Sequence, residues 1–550
     1  MKQRFFLDFV IATTLFVTFS VGRAQTSSLK PQFVNVESSF QVSPTHIAPG
    51  QTVTIQYFKS KIFSDKVFIH FGFNSWSLPL EGYKQSFDES RQFYRDQRLS
   101  WNSSVKAFEA TIKIPDDARI LNAAFCWNMC LEGEWDNNDA QDYLWPIQFP
   151  MIGPILTWNQ EVTPGHGVVI TFEHPFTNGA WLEYWTEGGV RERINNTESN
   201  VHHFILKNLK PRTRYFYRVA ISNEICSPIY SFESSPIRSN NSQVSFIALG
   251  DVQRISAKTD VYDFLIKSIL VNHRDVDFLI STGDLTNNNN YLSWWVFFDK
   301  SRELLARKVI MPAPGNHDAK YVGPGSSSTS FSRYFNLPYA GRDRLYYMFT
   351  YEKLRLFSLN SEIPGDFTEQ GEQYRWLKSE FEKTNQSDWT FVYWHKPPVN
   401  LMNRHFDEQL QFRPISTLFE GIVDWHVSVH VHGYQRTRPV DYFTDKFFPK
   451  EYYGTSTDQG VGFIILPPAG FEPSLDLVAR EGHEELYNIF VAPAAKVDAL
   501  DIESTPFIPP LTGFVRFDVE GSRMNMRAYG MRPDATTSEM RVFDSLIYSR

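Results

Sequence analysis

The strongest constraint on this 550-residue chain is a change of pattern at about Ser242. Beyond that point, apolar runs of strand length, such as 244–249 and 278–280, alternate with stretches of helical period, such as 261–269. Strands that alternate with helices in this way form a largely parallel sheet with helices packed on its faces. The sequence from 241 to 550 therefore predicts an α/β layered domain.

The region upstream of this domain has no clear helical period and consists of short alternating runs separated by turn residues. The aromatic content of the chain, 16%, suits such β-rich structure. Residues 25–150 and 151–240 therefore predict two all-β sandwich domains, followed by the polar linker 235–241. Strand-type runs return from about 460 to 550, and we expect them to complete a sheet of the α/β domain.

The N-terminus has the composition of an export signal. Basic residues close to Met1 precede a largely apolar run that ends in the small-residue stretch 22–24, and Asp8 interrupts the run. The unbroken part, 9–21, is too short to span a bilayer. We therefore expect a cleaved signal peptide at 1–24 and a secreted or periplasmic protein without a membrane anchor, and an uncleaved anchor is the alternative.

Net charge and cysteine content exclude two classes of protein. The formal net charge of −8 argues against a nucleic-acid binder that depends on neutralising phosphates. Three cysteines in 550 residues cannot form a disulfide framework. Export would permit a disulfide between Cys126 and Cys130 with Cys226 left over, and three separate buried thiols are the alternative.

Polar residues suited to metal binding stand at the end of one predicted strand after another. They are Asp251, Asp284, Asn316, His317, His395, His430 and His432. Because the carboxyl ends of strands in an α/β sheet border one crevice, we expect these side chains to meet. Carboxylates and imidazoles with an amide oxygen, and no thiolate, suit ions such as Fe, Mn or Zn. A carboxylate can bridge two such cations about 3.5–4 Å apart, and such a pair clamps the attacking and leaving oxygens of a displacement at phosphorus.

The motifs around these residues carry a family resemblance. They are Gly250-Asp251, Gly283-Asp284-Leu285, Gly315-Asn316-His317-Asp318, His395-Lys396-Pro397-Pro398 and His430-Val431-His432-Gly433-Tyr434-Gln435-Arg436. In this order and spacing they resemble the calcineurin-like metallophosphoesterases, and more narrowly the purple acid phosphatases. The stretches 331–338 and 369–377 are similar to that family's segments between the motifs, and 209–217 is similar to its fibronectin-like N-terminal domain.

The resemblance implies a fold, an activity and a ligand set. The implied fold is α/β, a four-layer α/β/β/α metallophosphoesterase sandwich after two all-β sandwich domains. The implied activity is that of a secreted phosphatase that hydrolyses phosphate monoesters by attack of a hydroxide held on two divalent metal ions. In the implied ligand set, Asp284 bridges the two metals, the first metal is held by Asp251 and His432, and the second by Asn316, His395 and His430.

The resemblance also implies residues that contact the substrate. His317 would contact the phosphate without binding metal. Arg404 and His405 stand nine and ten residues after His395, where plant members of the family often have two histidines. His405 would protonate the leaving oxygen and Arg404 would hold phosphate oxygens in a fork, and an ordinary surface position is the alternative for both.

Two positions depart from the family pattern. Purple enzymes have a Tyr three residues after the bridging Asp, where this chain has Asn287, and the related non-purple enzymes have a His two residues after the first Asp, where this chain has Gln253. We expect Gln253 to bind through its amide oxygen, which suits a harder divalent ion. Tyr291 turning into the site and a loosely held first metal are the alternatives. The sequence therefore predicts a colourless protein without Fe(III)-tyrosinate.

A second resemblance lies in the N-terminal region. The stretch 134–143, which contains the sequence Trp-Asp-Asn-Asn, resembles the signature of starch-binding carbohydrate modules. Sugar rings stack on exposed Trp residues and hydrogen-bond to His, so the resemblance implies a platform of His70, Trp76 and one of Trp127 or Trp135 for a starch-like glycan. Core positions for these Trp residues are the alternative.

Two rival functions stay open on the sequence alone. The same metal centre suits a phosphodiesterase or nucleotidase, and a glycan-binding protein with an inactive metal site would have the same domains. Six of the seven ligand positions usual in the family hold the expected residue type, which favours an active enzyme acting on phosphate esters.

Overall fold

The computed structural model describes residues 40–43, 47, 49–58, 66–74, 94–127, 135–136, 143–147, 152–174, 179–197, 200–223, 225–237, 243–253, 255, 260–318, 329–338, 340, 345–383, 388–443, 446–456, 458–470, 486, 489–492 and 511–550. The predicted signal peptide at 1–24, Trp76 and Cys130 lie outside these residues, and only the backbone of Trp135 is described. In the described part of the chain, no helix has both the length and the apolar character that crossing a membrane requires.

The N-terminal domain is a sandwich of antiparallel strands. They are β1 (Phe40–Ser43), β2 (Thr52–Tyr57), β3 (Val67–Phe73), β4 (Tyr94–Asn102), β5 (Ala107–Lys113), β6 (Ile120–Trp127), β7 (Trp135–Asp136) and β8 (Tyr143–Pro146). The strand order is β1-β2-β5-β4-β3-β6-β7, and β8 also pairs with β6. Tyr57 of β2 stacks on Phe125 of β6 with ring centroids 4.0 Å apart, so the two halves of the sheet face each other across one core.

The second domain is also built from strands. They are β9 (Ile152–Thr157), β10 (Gly167–Glu173), β11 (Ala180–Thr186), β12 (Glu192–Asn196), β13 (Val201–Lys207), β14 (Arg214–Ala220) and β15 (Tyr230–Glu233). Strands β12-β11-β14-β15 form one sheet, and β13-β10-β9 form part of another. Ile170 of β10 and Tyr217 of β14 are fully buried in one core between the two sheets.

The third domain contains both strands and helices. They are β16 (Gln243–Leu249), α1 (Val261–Asn272), β17 (Phe278–Ser281), α2 (Tyr291–Leu305), β18 (Val309–Pro312), α3 (Thr329–Tyr334), β19 (Tyr347–Tyr351), β20 (Leu354–Ser358), α4 (Glu372–Glu382), β21 (Trp389–Tyr393), β22 (Trp425–Ser428), β23 (Gln435–Thr437), β24 (Val440–Phe443), β25 (Lys446–Pro449), β26 (Tyr452–Tyr453), β27 (Gln459–Gly460), β28 (Gly462–Ile465), β29 (Phe490–Ala492), β30 (Thr512–Glu520), β31 (Arg523–Met531) and β32 (Arg541–Ser549). Helix α1 begins at a capping box. The side chain of Asp260 accepts a backbone N–H of the first helical turn, and the side chain of Asp263 accepts the backbone N–H of Asp260.

The elements of the third domain form the predicted α/β/β/α layers. One sheet contains β18-β17-β16-β30-β31-β32, and the other has the order β19-β20-β21-β22-β28-β23-β29. Phe246 of β16 meets Phe391 of β21 edge to face with ring centroids 5.2 Å apart, so the two sheets pack against each other. Helices α1 and α2 share the core of the first sheet, and α4 packs on the second, where Phe381 lies 5.2 Å from Phe357 of β20.

The second and third domains share one continuous sheet. Strand β9 pairs in parallel with β18 at Leu156 and Val309, so the full order is β13-β10-β9-β18-β17-β16-β30-β31-β32. Across the same junction, the buried carboxylate of Glu173 binds the guanidinium of Arg333 and accepts the hydroxyl of Tyr334 at 2.9 Å. The C-terminal strands complete this sheet beside β16, as the sequence predicted. The two domains are therefore joined by hydrogen-bonded strands and are not separate at the boundary near residue 240 that the sequence suggests.

Parallel pairing fixes the place of the functional loops. In the first sheet, Leu249 lies opposite Ser281 and Ser281 opposite Pro312, and in the second sheet Tyr393 lies opposite Val427. The strands β16, β17, β18, β21 and β22 therefore end along one edge of the paired sheets. Because the predicted ligands follow these strand ends directly, they are delivered to one place.

Candidate metal centre

The two aspartates of the centre are held by a tight backbone arrangement. Asp251 and Asp284 both have left-handed backbone conformations, with φ of 49° and 54°, which non-glycine residues adopt at a cost. The backbone N–H of Asp251 donates to the carbonyl of Gly283 at 3.0 Å, and that of Gln253 donates to the carbonyl of Asp284 at 3.0 Å. These bonds lock the two strand-end loops together.

Glycine is required where a third loop crosses these aspartates. A Cβ on Gly315 would stand 2.2 Å from Oδ1 of Asp284 and 2.3 Å from its backbone nitrogen. The close approach lets the next residues reach the centre, and the backbone N–H of His317 donates to the same Oδ1 at 2.8 Å. The Gly-Asn-His motif therefore reflects a steric need, since a side chain at Gly315 would displace the aspartate.

Four potential ligand atoms converge at one point. Around Nε2 of His395 lie Oδ1 of Asn316 at 2.9 Å, Nδ1 of His430 at 3.1 Å and Oδ2 of Asp284 at 3.2 Å. His395, His430 and Asp284 are all buried and form a cluster able to hold a metal ion. These are the residues predicted for the second metal, and the structure brings them together.

Hydrogen bonds on the far sides of the rings present the correct nitrogens. Nδ1 of His395 lies 3.1 Å from the carbonyl of Thr282, which accepts its proton and leaves Nε2 facing the cluster. Nε2 of His430 lies 3.3 Å from the carboxylate of Glu408, which leaves Nδ1 facing the cluster. Partners of this kind orient metal-binding histidines and fix their tautomers.

The residues predicted for the first metal lie beside this cluster. Oδ2 of Asp251 accepts the backbone N–H of His430 at 3.1 Å and lies 3.6 Å from Nε2 of His432, which is 3.0 Å from the amide nitrogen of Gln253. Oδ1 of Asp251 and Oε1 of Gln253 are buried and accept no hydrogen bond from any described residue. Buried acceptors without donors are costly, and a cation would satisfy them. The donor set fits a metal ion.

The electrostatics of the centre agree with a cation site. Burial lowers the pKa of His430 to about 3, and burial together with the charge of Arg404 lowers the pKa of His432 to about 2. These rings are therefore neutral near pH 7, the form that binds metal. Burial also lowers the pKa of His395, but the Asp284 carboxylate outweighs it and raises the pKa to about 9. A proton on His395 thus balances the buried carboxylates when no cation does.

The predicted substrate-contacting residues lie at the rim of the centre. Nδ1 of His317 donates to the carbonyl of Asn287 at 2.6 Å, so its other nitrogen points away from that loop. Arg404 is half-buried. Burial raises the pKa of Asp251 to about 8, which the charge of Arg404 opposes, and the same charge adds to burial in lowering the pKa of His432. His405 stacks on the ring of His430 with centroids 4.0 Å apart. Arg404 and His405 therefore face the centre and are not ordinary surface residues.

At the position where purple enzymes have a tyrosine, this chain has Asn287, which contributes its backbone carbonyl. Asn287 contributes its carbonyl to His317, and Asn290, three residues on, caps helix α2 by accepting the N–H of Ser293 at 2.8 Å. Tyr291 is buried in the first turn of α2, where burial and the neighbouring Glu173 raise its pKa well above the usual value. Tyr291 therefore belongs to the Glu173 cluster at the domain junction, whereas Gln253 lies beside His432.

Three charged residues at the rim were missed in the sequence. Glu408 contacts His405 and His430, and Nζ of Lys396 lies 3.6 Å from Glu408 and 3.3 Å from Glu362. Glu408 comes three residues after His405, a spacing that places both on one side of the 3-10 turn Phe406–Gln411. That spacing was a usable signal for Glu408, whereas Glu362 follows a different strand and carries no local signal.

The N-terminal domain does not present His70 and Trp127 together. Trp127 lies opposite Val67, a core residue, whereas His70 lies opposite Asp96 on the other face of the strand, so the predicted common platform is wrong for this pair. His70 hydrogen-bonds Asp96 at 2.7 Å, and its ring centroid lies 4.3 Å from that of Tyr94. Trp76 and the side chain of Trp135 lie outside the described residues.

The two cysteines that the structure describes agree with the first sequence alternative, in which one disulfide forms and Cys226 is left over. Cys126 is disulfide-bonded, and Cys226 is a free thiol. The chain contains three cysteines.

Comparison with known proteins agrees with the geometry of the centre. Residues 244–434 match the calcineurin-like phosphoesterase family, and residues 154–234 match the purple acid phosphatase N-terminal domain. Purple acid phosphatase 23 of Arabidopsis thaliana is 27% identical over 285 residues, which cover 46% of this chain and 60% of that protein. Purple acid phosphatase 15 of the same plant is 26% identical over 280 residues, 45% of this chain and 51% of that protein.

These matches span about half to three fifths of the relatives' own length. A solved structure of purple acid phosphatase PPD1 from yellow lupin (Lupinus luteus) seeds superimposes with a TM-score of 0.60 at 17% identity. The superposition covers 93% of this chain and 96% of that one, which shows a shared fold. The chain therefore contains a calcineurin-like phosphoesterase domain preceded by the N-terminal domain of purple acid phosphatases.

Proposed function

We propose that this protein is a metal-dependent hydrolase of phosphate esters, with monoesters as the preferred substrates. The observation that carries the proposal is the convergence of Asn316, His430 and Asp284 on Nε2 of His395 within 3.2 Å. Beside this cluster, buried oxygens of Asp251 and Gln253 accept no hydrogen bond from a described residue, and a cation would satisfy them. Two sets of donors around one shared carboxylate suit a pair of divalent ions such as Fe, Mn or Zn.

Different residues of the chain would perform different parts of such a reaction. Bound cations would supply Lewis acidity toward the phosphoryl oxygens and lower the pKa of a water. Arg404 offers a planar pair of donors to two phosphate oxygens. His317, held by the Asn287 carbonyl, offers its remaining nitrogen to a third oxygen. His405 stands beside the centre with its Nδ1 engaged by Glu408 at 2.6 Å, and its Nε2 would protonate the leaving oxygen.

Gln253 is proposed as the residue that completes the first metal site. Its amide nitrogen lies 3.0 Å from Nε2 of His432, and its buried Oε1 accepts no hydrogen bond from a described residue, so this oxygen is the atom that would bind the cation. With Asn287 at the tyrosine position and Tyr291 buried at the domain junction, no tyrosinate–iron band is expected. A purple absorption band on iron loading would contradict this ligand set.

The decisive experiment is metal analysis combined with hydrolysis of a chromogenic phosphate monoester and diester after loading with Mn, Zn or Fe. We expect turnover of the monoester, and preferential turnover of the diester would instead assign a phosphodiesterase. Asp284→Asn should lower kcat/KM by at least ~100-fold, because both cations lose a shared anionic ligand and outer partners alone are worth 10–100-fold. Asp534→Asn, on an exposed turn, is the matched control. Turnover retained by Asp284→Asn would refute the bridge.

Two further proposals concern the rest of the chain. Export as a secreted or periplasmic protein rests on the sequence of 1–24, and N-terminal sequencing of the mature protein tests it. Binding of a starch-like glycan now rests on the outer-face cluster of His70, Tyr94 and Asp96. Retardation on a starch affinity gel that is lost in His70→Ala would support this, and unretarded migration of the wild-type protein would remove it.

A further inference from the structure

Glu408 occupies an unusual position between two histidines of different function. Its Oε1 lies 2.6 Å from Nδ1 of His405, and its Oε2 lies 3.3 Å from Nε2 of His430. The rings of the two histidines stack with centroids 4.0 Å apart and planes inclined by 35°. One carboxylate therefore spans two stacked imidazoles, of which one belongs to the metal cluster and the other to the rim.

The contact with His430 determines which nitrogen can bind metal. A carboxylate only accepts hydrogen bonds when ionised, so Nε2 of His430 must carry the proton. Nδ1 then holds the lone pair, and it is this atom that lies 3.1 Å from Nε2 of His395 in the ligand cluster. The opposite tautomer would turn an N–H toward the cation and place a lone pair against the carboxylate.

The contact with His405 determines which nitrogen can reach a substrate. Nδ1 of His405 donates to Glu408, which leaves Nε2 as the nitrogen available at the rim. The backbone of His405 is left-handed, with φ of 56°, and its ring packs against that of His430 at a tilt of 35°. Backbone, stacking and hydrogen bond together hold Nε2 of His405 in one direction.

Lys396 holds the carboxylate itself in place. Its Nζ lies 3.6 Å from Oε2 of Glu408 and 3.3 Å from Glu362. Glu408 is anchored by three cationic or hydrogen-donating groups, although its side chain is 37% exposed. Its exposure means that substitution there should leave the core of the domain intact.

We infer that Glu408 is a positioning residue that sets the tautomer of His430 and holds the ring of His405 through its Nδ1–H, so that one carboxylate orients a metal ligand and the proton donor for the leaving group. This inference rests on the proposed phosphate-ester hydrolysis. In that reaction a water oxygen forms a bond to phosphorus and the bond from phosphorus to the leaving oxygen breaks. The leaving oxygen keeps that electron pair and takes the Nε2 proton of a His405 ring that carries protons on both nitrogens, with its Nδ1–H held by Glu408. The attacking water releases a proton to solvent, and solvent returns one to Nε2 of His405.

A glutamine at this position weakens both contacts while keeping the shape of the side chain. Glu408→Gln removes the negative charge and leaves one acceptor oxygen in place of two, so neither histidine keeps a charged acceptor and one loses its acceptor altogether. An aryl phosphate with a nitrophenolate leaving group needs little protonation, whereas an alkyl phosphate such as glycerol phosphate needs it strongly. We expect Glu408→Gln to lower kcat/KM by ~100-fold for the alkyl ester and by under ~10-fold for the aryl ester.

Metal binding supplies the second readout. We expect Glu408→Gln to weaken the affinity for one of the two ions by ~10–100-fold in chelator competition, because His430 loses its orienting partner. His405→Asn should reproduce the leaving-group effect without the change in metal affinity. Glu420→Gln, the same change at an exposed site, is the control and should match the wild type in both assays.

The outcomes are distinguishable. Equal loss on both esters, or unchanged metal affinity in Glu408→Gln, would overturn the positioning role. If the wild-type protein hydrolysed neither ester, the proposed function would fail, and metal affinity would still decide whether Glu408 orients His430. Thermal unfolding of each variant confirms that the fold is intact.

Discussion

The crossing of Gly315 over Asp284 gives the sharpest prediction from this structure. A Cβ at Gly315 would lie 2.2 Å from Oδ1 of Asp284, 2.3 Å from its nitrogen and 2.9 Å from its Cγ. Ordinary contact lies near 3.5 Å, so the two segments would have to separate by about 1 Å. Two of the three atoms cannot swing aside, because the nitrogen is backbone and Oδ1 already accepts the N–H of His317 at 2.8 Å.

Gly315→Ala should therefore move Asp284 or the following Asn-His pair by about 1 Å, which typically costs ~100-fold in rate at a metal centre built to fixed geometry. Overpacking should also lower the free energy of unfolding by ~1–3 kcal/mol. Both are measured by kcat/KM for an aryl phosphate, metal content and thermal unfolding. Gly365→Ala is the matched control, since its Cβ would meet no described atom within 4 Å. If Gly315→Ala retained activity within ~3-fold and full metal content, the steric argument would be wrong.

Two further predictions concern stability. Burial lowers the pKa of His202 to about 4, so the unfolded chain takes up a proton near its usual pKa while the folded chain does not, and stability should fall as pH drops from about 6.5 to about 4, by up to ~1.4 kcal/mol per pH unit. His202→Gln should flatten this slope in denaturant titrations at pH 7 and pH 5, and an unchanged slope would rule the residue out as the source. Asp544 binds Arg436 through both oxygens at 2.7 and 3.0 Å and accepts the hydroxyl of Tyr434, so Asp544→Ala should cost ~3–5 kcal/mol by leaving a buried guanidinium unpaired. A change under ~1 kcal/mol in the same titration would show that water replaces the carboxylate.

Much of the centre could be predicted because the residues with metal-binding side chains stand directly at the ends of strands. Asp251, Asp284, His395 and His430 each follow a buried apolar run, and parallel pairing brings such positions to one edge. Glu408 was not identified because its role depends on the stacking of two rings that a linear pattern does not show. The sequence offered Trp127 or Trp135 as the partner of His70 and Trp76 in a glycan platform, and it could not show that His70 and Trp127 lie on opposite faces of the sheet. The pairing register of β3 with β6 decides which face each residue takes, and composition carries no information on register.

The shared sheet of the second and third domains limits how this protein can be divided. Cutting the chain near residue 240 would separate β9 from β18 and expose the edge of β18, which now pairs with Leu156 at Val309. The same cut would take Glu173 away from the half-buried Arg333 and remove the carbonyl of Gly153, to which Arg302 now donates at 2.8 Å. A catalytic fragment made in this way would expose an unpaired strand edge with which other chains can pair. The domain that matches the purple acid phosphatase N-terminal domain is thus a structural part of the α/β domain beside it, and any truncation intended for crystallography or engineering should begin before Ile152.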